Sequence, residues 1–228
     1  MRAVLSIVIP TLNAEAELPA ALAPLMEGIE GGVIRELVIS DGGSDDATLS
    51  IADEVGATVA TGGPSRGGQL RRGADAAQGT WLLFLHADTQ LQPEWSDAVL
   101  AHIVQTPGKA GYFRLRFDRG GMGAWIVAGW ANWRARRLGL PFGDQGLLIS
   151  RVLYDAVGGY PDIALMEDVA IARALGRGRL RMLPVIARTS GQKYVTQGWI
   201  RRGVRNLGLQ IRFLCGGDPE HLAQRYRR

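Results

Sequence analysis

The sequence predicts an α/β protein with a mostly parallel central sheet flanked by helices. Over the first hundred residues, short apolar runs alternate with segments of helical periodicity. The apolar runs are continuous rather than alternating, which is typical of strands buried on both faces of a sheet. With 228 residues, of which 46% are hydrophobic, the chain is long enough for one domain with a sizeable core.

In the first half of the chain, four predicted strands alternate with four predicted helices. Strands are predicted over residues 3–9, 33–40, 57–60 and 81–85. Helices are predicted over residues 14–29, 45–55, 67–77 and 94–105. Apolar residues three and four apart mark the first helix. Ser44 is expected to cap the second helix, and Pro93 precedes the fourth.

The second half follows a different pattern. Residues 111–118 alternate polar and apolar side chains, which predicts a half-exposed, antiparallel strand. Further strands are predicted over residues 146–150 and 180–184, and a helix over residues 166–175. The glycine-rich stretch over residues 120–146 holds three of the six tryptophans and a cluster of Arg134, Arg136 and Arg137.

Ligands of parallel α/β sheets bind beyond the carboxyl ends of the strands, which singles out residues 10–13, 41–44, 62–68 and 86–89. The first segment lacks the G-x-G-x-x-G of a dinucleotide-binding domain, and the third lacks the G-K-[ST] of a P-loop. No G-x-S-x-G of a serine hydrolase is present. One cysteine excludes a disulfide framework, and three scattered histidines argue against a zinc cage.

Three charged side chains at these strand ends each allow two interpretations. Asp41 could accept hydrogen bonds from a nucleoside, or form the turn before two glycines. Asp88 could hold a cation, or cap a turn or helix. Arg66 could grip a diphosphate, or extend into solvent.

Taken together and in order, five segments resemble inverting family 2 glycosyltransferases of the GT-A fold. They are SIVIPTLNAEAEL, ELVISDGGSDDAT, GPSRGGQLRRGADAAQGTWLLFLHADT, FGDQGLLISR and LMEDVAIARAL, which together span roughly residues 4–180. LHADT, GDQG and MEDVAIARAL are most similar to a small bacterial subgroup often associated with arsenosugar biosynthesis. The resemblance implies transfer of a sugar from a nucleotide diphosphate, expected to be UDP-linked, to a hydroxyl acceptor.

The resemblance also implies which residues border the nucleotide. These are Pro10, Thr11, Asn13, Glu15, Asp41, Arg66, His86 and Ala87. His86-Ala87-Asp88 stands at the family's D-x-D site, where Asp88 would bind Mg²⁺ or Mn²⁺ bridging the diphosphate. His86 replaces the first carboxylate of that site, a departure that affects the ribose contact and the choice of metal.

The catalytic residues implied by the resemblance are Glu167 and Asp168, with Asp168 as the base. An inverting transfer needs one carboxylate to remove the acceptor proton, while a divalent ion and Arg66 would stabilise the leaving group. The other interpretation is that both acids only stabilise a helix N-terminus. The residues that would line the donor sugar and the acceptor are Gly143, Asp144 and Gln145.

The formal net charge of +4 is unevenly distributed. Residues 1–172 carry 13 Lys and Arg against 20 Asp and Glu, whereas residues 173–228 carry 13 against 2. A basic last quarter favours a phosphate-bearing partner. Its segment around Trp199 is amphipathic, and could lie on an anionic membrane or pack on the core with its arginines in water. We expect no nucleic-acid partner, because no binding motif is present.

We therefore expect one glycosyltransferase domain. Residues 1–106 would be its nucleotide-binding half, residues 107–190 its acceptor-side half and residues 191–228 a basic C-terminal extension. The sequence shows no signal peptide or membrane span, so the expected location is the cytoplasm, with peripheral contact to the inner face of the membrane through the extension. The alternative function is a non-catalytic nucleotide-sugar-binding protein with a degenerate D-x-D site.

Overall fold

The structure, a computed structural model, describes residues 3–227, which form one eight-stranded sheet with helices on both sides. The strands are β1 (Leu5–Thr11), β2 (Ile34–Asp41), β3 (Thr58–Thr61), β4 (Trp81–Phe84), β5 (Thr89–Leu91), β6 (Ala110–Phe117), β7 (Leu147–Ser150) and β8 (Leu180–Thr189). Their order across the sheet is β3-β2-β1-β4-β7-β6-β8-β5. The predicted fold class is confirmed.

The strands of the first half run parallel, as predicted. β1 lies between β2 and β4 and pairs with both in parallel, so that Thr11 and Asp41 end side by side. β7 then runs antiparallel to β4. β6 is antiparallel to β7 at one pair, Gly111 with Leu148, but its long pairing with β8 is parallel. The prediction of an antiparallel strand at residues 111–118 is right for one neighbour and wrong for the other.

Helices cover both faces of the sheet. In the described residues they are α1 (Leu18–Leu22), α2 (Met26–Glu30), α3 (Thr48–Glu54), α4 (Arg66–Ala76), α5 (Trp95–Gln105), α6 (Met122–Leu138), α7 (Arg151–Ala156), α8 (Glu167–Leu175), α9 (Gln192–Gln197), α10 (Trp199–Leu214) and α11 (Pro219–Arg227). Helices α4, α5 and α8 match the predicted spans to within one residue at each end.

The first predicted helix, over residues 14–29, is broken into three pieces. A 3₁₀ turn at Ala23–Leu25 separates α1 from α2. Pro24 lies in this turn, and because proline has no backbone N–H it cannot continue the hydrogen bonds of an α-helix. The apolar residues keep the predicted helical spacing, but the 3₁₀ turn interrupts the helix between α1 and α2.

The second predicted helix begins three residues later than expected, at Thr48. The backbone N–H groups of Asp45 and Ala47 donate hydrogen bonds to the side chains of Asn13 and Glu15, rather than taking part in a first helical turn. Ser44 is not the helix cap, because its hydroxyl donates to Asp41. Contacts between loops, which local propensity cannot report, therefore decide where this helix starts.

Several elements have no counterpart among the predicted ones, notably β5 and α6. Helix α6 covers the glycine- and tryptophan-rich stretch. Its buried side carries mostly alanines while its exposed side carries tryptophans, so the usual contrast between an apolar and a polar face is missing. Strand β8 continues to Thr189, past its predicted end at Pro184. A register shift between β6 and β8 accommodates the exposed Pro184.

The sheet has a hydrophobic core on each face. Neighbouring residues of one strand alternate between the two cores: Ile7 and Leu83 belong to one, and Val8 and Leu82 to the other. All four side chains are fully buried. Among residues 3–227, no helix combines the length and hydrophobicity that crossing a bilayer would take.

Candidate active site

The loops that follow β1 and β2 are joined by side-chain hydrogen bonds. The Thr11 hydroxyl donates to Asp41 Oδ1 over 2.9 Å. The Asn13 N–H donates to Ser44 Oγ, and the Asp45 N–H donates back to Asn13 Oδ1. These reciprocal bonds hold the two loops as one unit at the carboxyl ends of the parallel strands.

Glu15 extends this unit, because its N–H donates to Asp46 and its Oε2 accepts from Ala47. Asn13 has a left-handed backbone, with φ of 50°, which asparagine tolerates better than most residues. Pro10 lies one residue before the end of β1. The structure therefore brings the predicted nucleotide-side residues together at one edge of the sheet.

Asp41 is fully buried, and both of its carboxylate oxygens are occupied. Oδ1 accepts from the Thr11 and Ser44 hydroxyls, and Oδ2 accepts from the Gly43 and Ser44 N–H groups. Burial alone would raise the pKa of Asp41, but these donors outweigh it and lower the pKa. A carboxylate has about four lone-pair sites. The turn-forming interpretation of Asp41 is therefore the one present, and a contact with a base would require one of these bonds to give way.

Arg66 is the first residue of α4, where the Ser65 side chain caps the helix by accepting the Gly68 N–H. Its Nε lies 3.8 Å from Glu167 Oε1, and its Nη2 lies 3.3 Å from His86 Nε2. Burial opposes the charge of Arg66, but the carboxylate of Glu167 raises its pKa above the ordinary value. Arg66 is therefore a permanent cation that links two predicted site segments.

The glycine beside Arg66 is required by a close backbone approach. A Cβ on Gly67 would lie 2.0 Å from the Pro161 carbonyl oxygen, in the loop before α8. Only glycine fits there, since real Cβ atoms keep well beyond that distance. The glycine-rich loop thus docks on the segment that leads to the Glu167-Asp168 pair.

The segment after β4 sends its two polar side chains in different directions. His86 Nδ1 lies 3.3 Å from Asp144 Oδ1, on the side of Arg66. Asp88 is half-buried, and its Oδ1 accepts from the Thr189 hydroxyl of β8 over 3.3 Å. Ala87 packs against the hydrophobic core, so any contact with a nucleotide would come from its backbone.

The Gly143-Asp144-Gln145 segment forms a 3₁₀ turn against His86. A Cβ on Gly143 would lie 2.2 Å from His86 Nε2, so glycine is needed for this approach. Burial alone would raise the pKa of Asp144, but the hydrogen bond and charge of His86, with the charges of Arg66 and Arg134, lower it to about 2. Asp144 is therefore ionised at any physiological pH.

Gln145 supports this turn from behind. It is fully buried, and its Nε2 donates to the Phe113 carbonyl of β6 and to Asn132 Oδ1 of α6. The side chain does not reach the surface in this arrangement. Its observed part is to fix the turn on the sheet, while Gly143 and Asp144 are the residues that meet His86.

Glu167 and Asp168 begin α8 and lie in different environments, as the helix-start position predicts. Glu167 is 1% exposed, and its Oε2 has no hydrogen-bond partner among the described residues. Burial, and then the charge of Asp168, raise the pKa of Glu167 to about 7. Asp168 is half-buried, and its Oδ2 accepts the Gly143 N–H over 3.1 Å. Met166, just before them, has a left-handed backbone with φ of 70°, a strained conformation for this residue.

A family model for glycosyl transferase family 2 matches residues 6–146, which is more than half of the chain. This span runs from β1 to the turn that carries Asp144. The chain belongs to glycosyl transferase family 2. The resemblance seen in the sequence is confirmed at the level of the family, and the chain is a glycosyltransferase domain.

Relatives of this family 2 chain match it in part. A Mycobacterium tuberculosis protein named PGL/p-HBAD biosynthesis glycosyltransferase is 44% identical over 93 residues, covering 38% of this chain and 36% of the relative. An uncharacterized glycosyltransferase of Haemophilus influenzae is 30% identical over 105 residues, covering 45% of this chain and 35% of the relative. The chain thus spans about a third of the length of the curated relatives it matches.

Solved structures show the same GT-A fold. S. aureus TarS 1-349 in complex with UDP-GlcNAc has a TM-score of 0.61 at 16% identity, over 83% of this chain and 59% of that one. Mycobacterium tuberculosis glucosyl-3-phosphoglycerate synthase, in complex with Mn²⁺, UDP-Glc and phosphoglyceric acid, has a TM-score of 0.56 at 22% identity, over 78% of this chain and 68% of that one.

Two residues of this glycosyltransferase site escaped the sequence reasoning. Tyr160 is buried and lines, with Asp168 and Gly143, two cavities of about 10 Å³ each. Spaces of that size admit about one water, so a sugar would lie on the solvent side of Asp168. Arg134 is also buried, with its guanidinium 3.2 Å from the centre of the Phe142 ring.

In the sequence, Arg134 stands out only as a member of the basic cluster with Arg136 and Arg137. Its Nε donates to the Leu140 carbonyl, while its Nη2 is buried without a partner among the described residues. Burial lowers the pKa of Arg134 to about 10 against the opposing charges of Asp168 and Asp144. No local signal separates it from Arg136 and Arg137, because only the position of the helix decides which arginine is buried.

The fit of a divalent metal depends on what the donor would bring. Within residues 3–227, no three His, Cys, Asp or Glu side chains converge as a metal cage. Mg²⁺ is commonly held by one or two carboxylates together with substrate phosphates and water. Asp88 offers such a carboxylate with one hydrogen-bond donor on it, from Thr189. The residues present therefore fit an ion that arrives with, or is completed by, a phosphate-bearing ligand.

Proposed function

We propose that this protein is a metal-dependent, inverting glycosyltransferase that moves a sugar from a UDP-linked donor to a hydroxyl group of an acceptor. One observation carries the proposal. The half-buried carboxylate of Asp168 accepts the Gly143 N–H, and the guanidinium of Arg66 lies 3.3 Å from His86 Nε2. Gly143 and His86 pack directly against each other, so the two charged groups lie on either side of one close contact. A base for the acceptor and a cation for the leaving group are the two functions that this transfer requires.

The donor nucleotide is proposed to lie on the half formed by residues 1–106. The residues that would border its base and ribose are Pro10, Thr11, Asn13 and Glu15. Asp41 would join them only where one of its four hydrogen bonds gives way to the base. UDP is chosen because TarS and the glucosyl-3-phosphoglycerate synthase are described with UDP-GlcNAc and UDP-Glc. The rigid unit formed by the loops after β1 and β2 supports this choice, because a preformed surface binds with less loss of entropy.

The diphosphate is proposed to lie between Arg66 and Asp88. Arg66 remains charged throughout the accessible pH range, as arginine side chains do, and the carboxylate of Glu167 raises its pKa further. Asp88 would hold a Mg²⁺ or Mn²⁺ ion, whose chemistry is to neutralise charge on the departing nucleotide diphosphate. Glu167 acts as a positioning residue in this proposal, because its Oε1 holds Arg66 from the buried side.

Asp168 is proposed as the catalytic base. It would accept the proton of the acceptor hydroxyl while the Gly143 N–H fixes the orientation of its carboxylate. Glu167 is the poorer candidate, because it is 1% exposed and its Oε1 faces Arg66 rather than the space open to an acceptor. Inversion follows if Asp168 lies on the face of the sugar opposite the diphosphate.

The acceptor is proposed to reach Asp168 from the half formed by residues 107–190, past the turn of Gly143, Asp144 and Gln145. We also propose membership in the bacterial subgroup associated with arsenosugar biosynthesis, supported by LHADT, GDQG and MEDVAIARAL. The proposed location is the cytoplasm, with residues 191–228 at the inner face of the membrane.

A second candidate function is nucleotide-sugar binding without chemistry. The observation that favours it is His86, which replaces a carboxylate and lies against Asp144 and Arg66 rather than turning toward Asp88. This candidate predicts donor binding that ignores Mn²⁺ and no cleavage of the donor.

A thermal-shift panel of nucleotide sugars, with and without Mn²⁺, tests both candidates. A donor at 100 times its Kd stabilises the folded state by about 2.7 kcal/mol. For a chain of this size that raises Tm by about 5–10 °C. The enzyme proposal expects the shift to need Mn²⁺, to disappear in Asp88→Ala, and to accompany release of free UDP. A shift that is equal without Mn²⁺ and in Asp88→Ala, with no UDP released, would favour the binding protein.

A further inference from the structure

Helices α6 and α10 lie side by side and run in the same direction. Gly123 of α6 faces Trp199 of α10, and four residues further along each helix, Val127 faces Gly203. A Cβ on Gly123 would lie 2.7 Å from the Trp199 side chain, so glycine permits the close approach. The two helices therefore present one continuous outer surface.

This outer surface is apolar and exposed. Trp125 of α6 is 74% exposed, and Val204 of α10 is 64% exposed. Residues at helical spacing on both helices form the stripe, which we call the α6–α10 face. Its members are Met122, Trp125, Trp133, Ile200, Val204 and Ile211. Apolar patches this continuous are uncommon on proteins that have no partner.

The charged residues of α6 and α10 themselves all have one sign, since both helices contain arginines and no acidic residue. The sequence contains no Asp or Glu between residues 119 and 143, nor between residues 169 and 217. Arg136 and Arg137 are exposed at the end of α6, and Arg201 and Arg212 are exposed on α10. Within the described residues, none of these four arginines forms an ion pair.

A groove of about 500 Å³ beside α6 adds further positive charge. Trp125 lines it, together with Arg114 and Arg116 of β6 and Arg188 of β8. One carboxylate, Asp118, also lines the groove, and Arg119 lies 3.9 Å from it as its ion-pair partner. Arg116 and Arg188 are direct partners on neighbouring strands, an arrangement that is unfavourable without an anion. Guanidinium groups bind phosphate oxygens well, because their planar donors match them in pairs.

We propose that the α6–α10 face docks on an anionic phospholipid bilayer, with its apolar side chains among the lipids and the arginine groove against the headgroup phosphates. Charge complementarity selects this occupant, because arginines attract anionic lipids whereas a second copy of this chain would bring arginine against arginine. Tryptophan suits the boundary between headgroups and acyl chains. The amphipathic segment around Trp199 is thus only half of the surface, and α6 supplies the rest.

The docked face also adjoins the active site. A smaller cavity of about 70 Å³ between α6 and α10 is lined by Trp130 and Leu207 and reaches Asp144 and Arg134. Docking would therefore turn the acceptor side of the site toward the bilayer. This consequence rests on the proposed function, whereas the docking itself requires no turnover and is measured separately.

Flotation of the full chain with vesicles tests the docking. One vesicle contains phosphatidylcholine alone, and the other contains phosphatidylcholine with phosphatidylglycerol. We expect binding to the anionic vesicle only, weakened but not abolished by salt, since salt screens the arginines and not the apolar contacts. Failure to bind the anionic vesicle at low salt overturns the proposal.

Paired substitutions identify the surface. Trp125→Ser with Val204→Ser is expected to weaken binding about tenfold or more. Arg116→Gln with Arg188→Gln is expected to weaken it about fivefold for each arginine. Matched controls are Val104→Ser with Val152→Ser, at positions 70% and 80% exposed elsewhere on the surface, and Arg71→Gln with Arg179→Gln.

The controls should bind like the unchanged protein. Equal losses in the controls, or full binding after the Trp125 and Val204 changes, would overturn the proposal and leave a general attraction to polyanions. The Tm of each variant without ligand reports its folding, and the change in Tm on adding a nucleotide sugar reports donor binding. Vesicle binding without a donor shift would therefore contradict the proposed function and leave the docking intact.

Discussion

Two buried carboxylates, one on each side of the site, are built in opposite ways. Asp41, at the ends of β1 and β2, accepts four hydrogen bonds, and these lower its pKa despite burial. Glu167, at the start of α8, is equally buried but has an oxygen without a partner, and its pKa is raised to about 7. Burial alone therefore does not decide the pKa of a carboxylate. The number of hydrogen-bond donors around the carboxylate and the neighbouring charges decide it as well.

The two regions also differ in backbone strain. The β1–β2 region holds Asn13 in a left-handed conformation that asparagine accepts easily. In the α8 region, Met166 lies immediately before the two acids and has the same left-handed conformation, which methionine does not adopt easily. Strain of this kind clusters at functional sites. The comparison thus separates a saturated scaffold that supports the nucleotide side from a strained, unsaturated region where chemistry is proposed.

The largest expected effect comes from Asp168→Asn. If the α8 region carries the chemistry, UDP release falls about 10²–10⁴-fold, because the base is lost while its shape is kept. The donor-induced change in Tm should persist, since Asp168 is not assigned to the nucleotide. Turnover assays with the matched substitution Asp155→Asn, at an exposed position on α7, provide the control. Turnover close to that of the control would show that the base lies elsewhere.

Asp41→Ala tests the scaffold side of the comparison. Two hydroxyl and two N–H donors lose their buried acceptor, which we expect to cost about 3 kcal/mol and lower Tm by about 6–12 °C. Asp53→Ala, at an exposed position on α3, is the control. Melting curves without ligand decide the matter, and a Tm within about 1 °C of the control would mean that the loops do not depend on Asp41.

Gly143→Ala probes the contact that joins His86 to the α8 region. The new Cβ would lie 2.2 Å from His86 Nε2, so His86 or the turn must move. Overpacking of this kind costs about 1–3 kcal/mol, and Tm should fall by about 2–12 °C. Gly108→Ala meets no atom within 4 Å and should leave Tm unchanged. Equal melting of the two variants would contradict the close approach.

The smallest expected effect is the pH dependence of Glu167→Gln. Because the folded pKa of Glu167 is raised from 4.5 to about 7, its proton stabilises the folded state below pH 4.5. That stability is lost as the pH rises toward 7, so glutamine should raise Tm relative to the unchanged protein at pH 8 and hardly at pH 4.5. We expect the gain in Tm from glutamine to be larger at pH 8 than at pH 4.5. A constant offset at both would place the raised pKa elsewhere.

Much of the parallel half was predictable because its signals are local. Continuous apolar runs marked β1, β2 and β4, and the residues that follow them do gather at one edge of the sheet. The late start of α3 was not predictable, since Asn13 and Glu15 capture backbone groups from a loop 32 residues away. Helix α6 was hidden because its exposed tryptophans erase the usual polar face.

The sequence by itself determined the fold class, the family and the segments that form the site, because ordered motifs and strand ends are properties of the chain. Tertiary structure alone decided which of two adjacent acids is buried, that Asp41 is saturated, and that Arg134 points inward while Arg136 and Arg137 stay exposed. It also placed α6 beside α10, which turns two unremarkable segments into one apolar, basic surface. The physical reason is that burial and donor count depend on neighbours distant in the chain, whereas periodicity and turn chemistry do not.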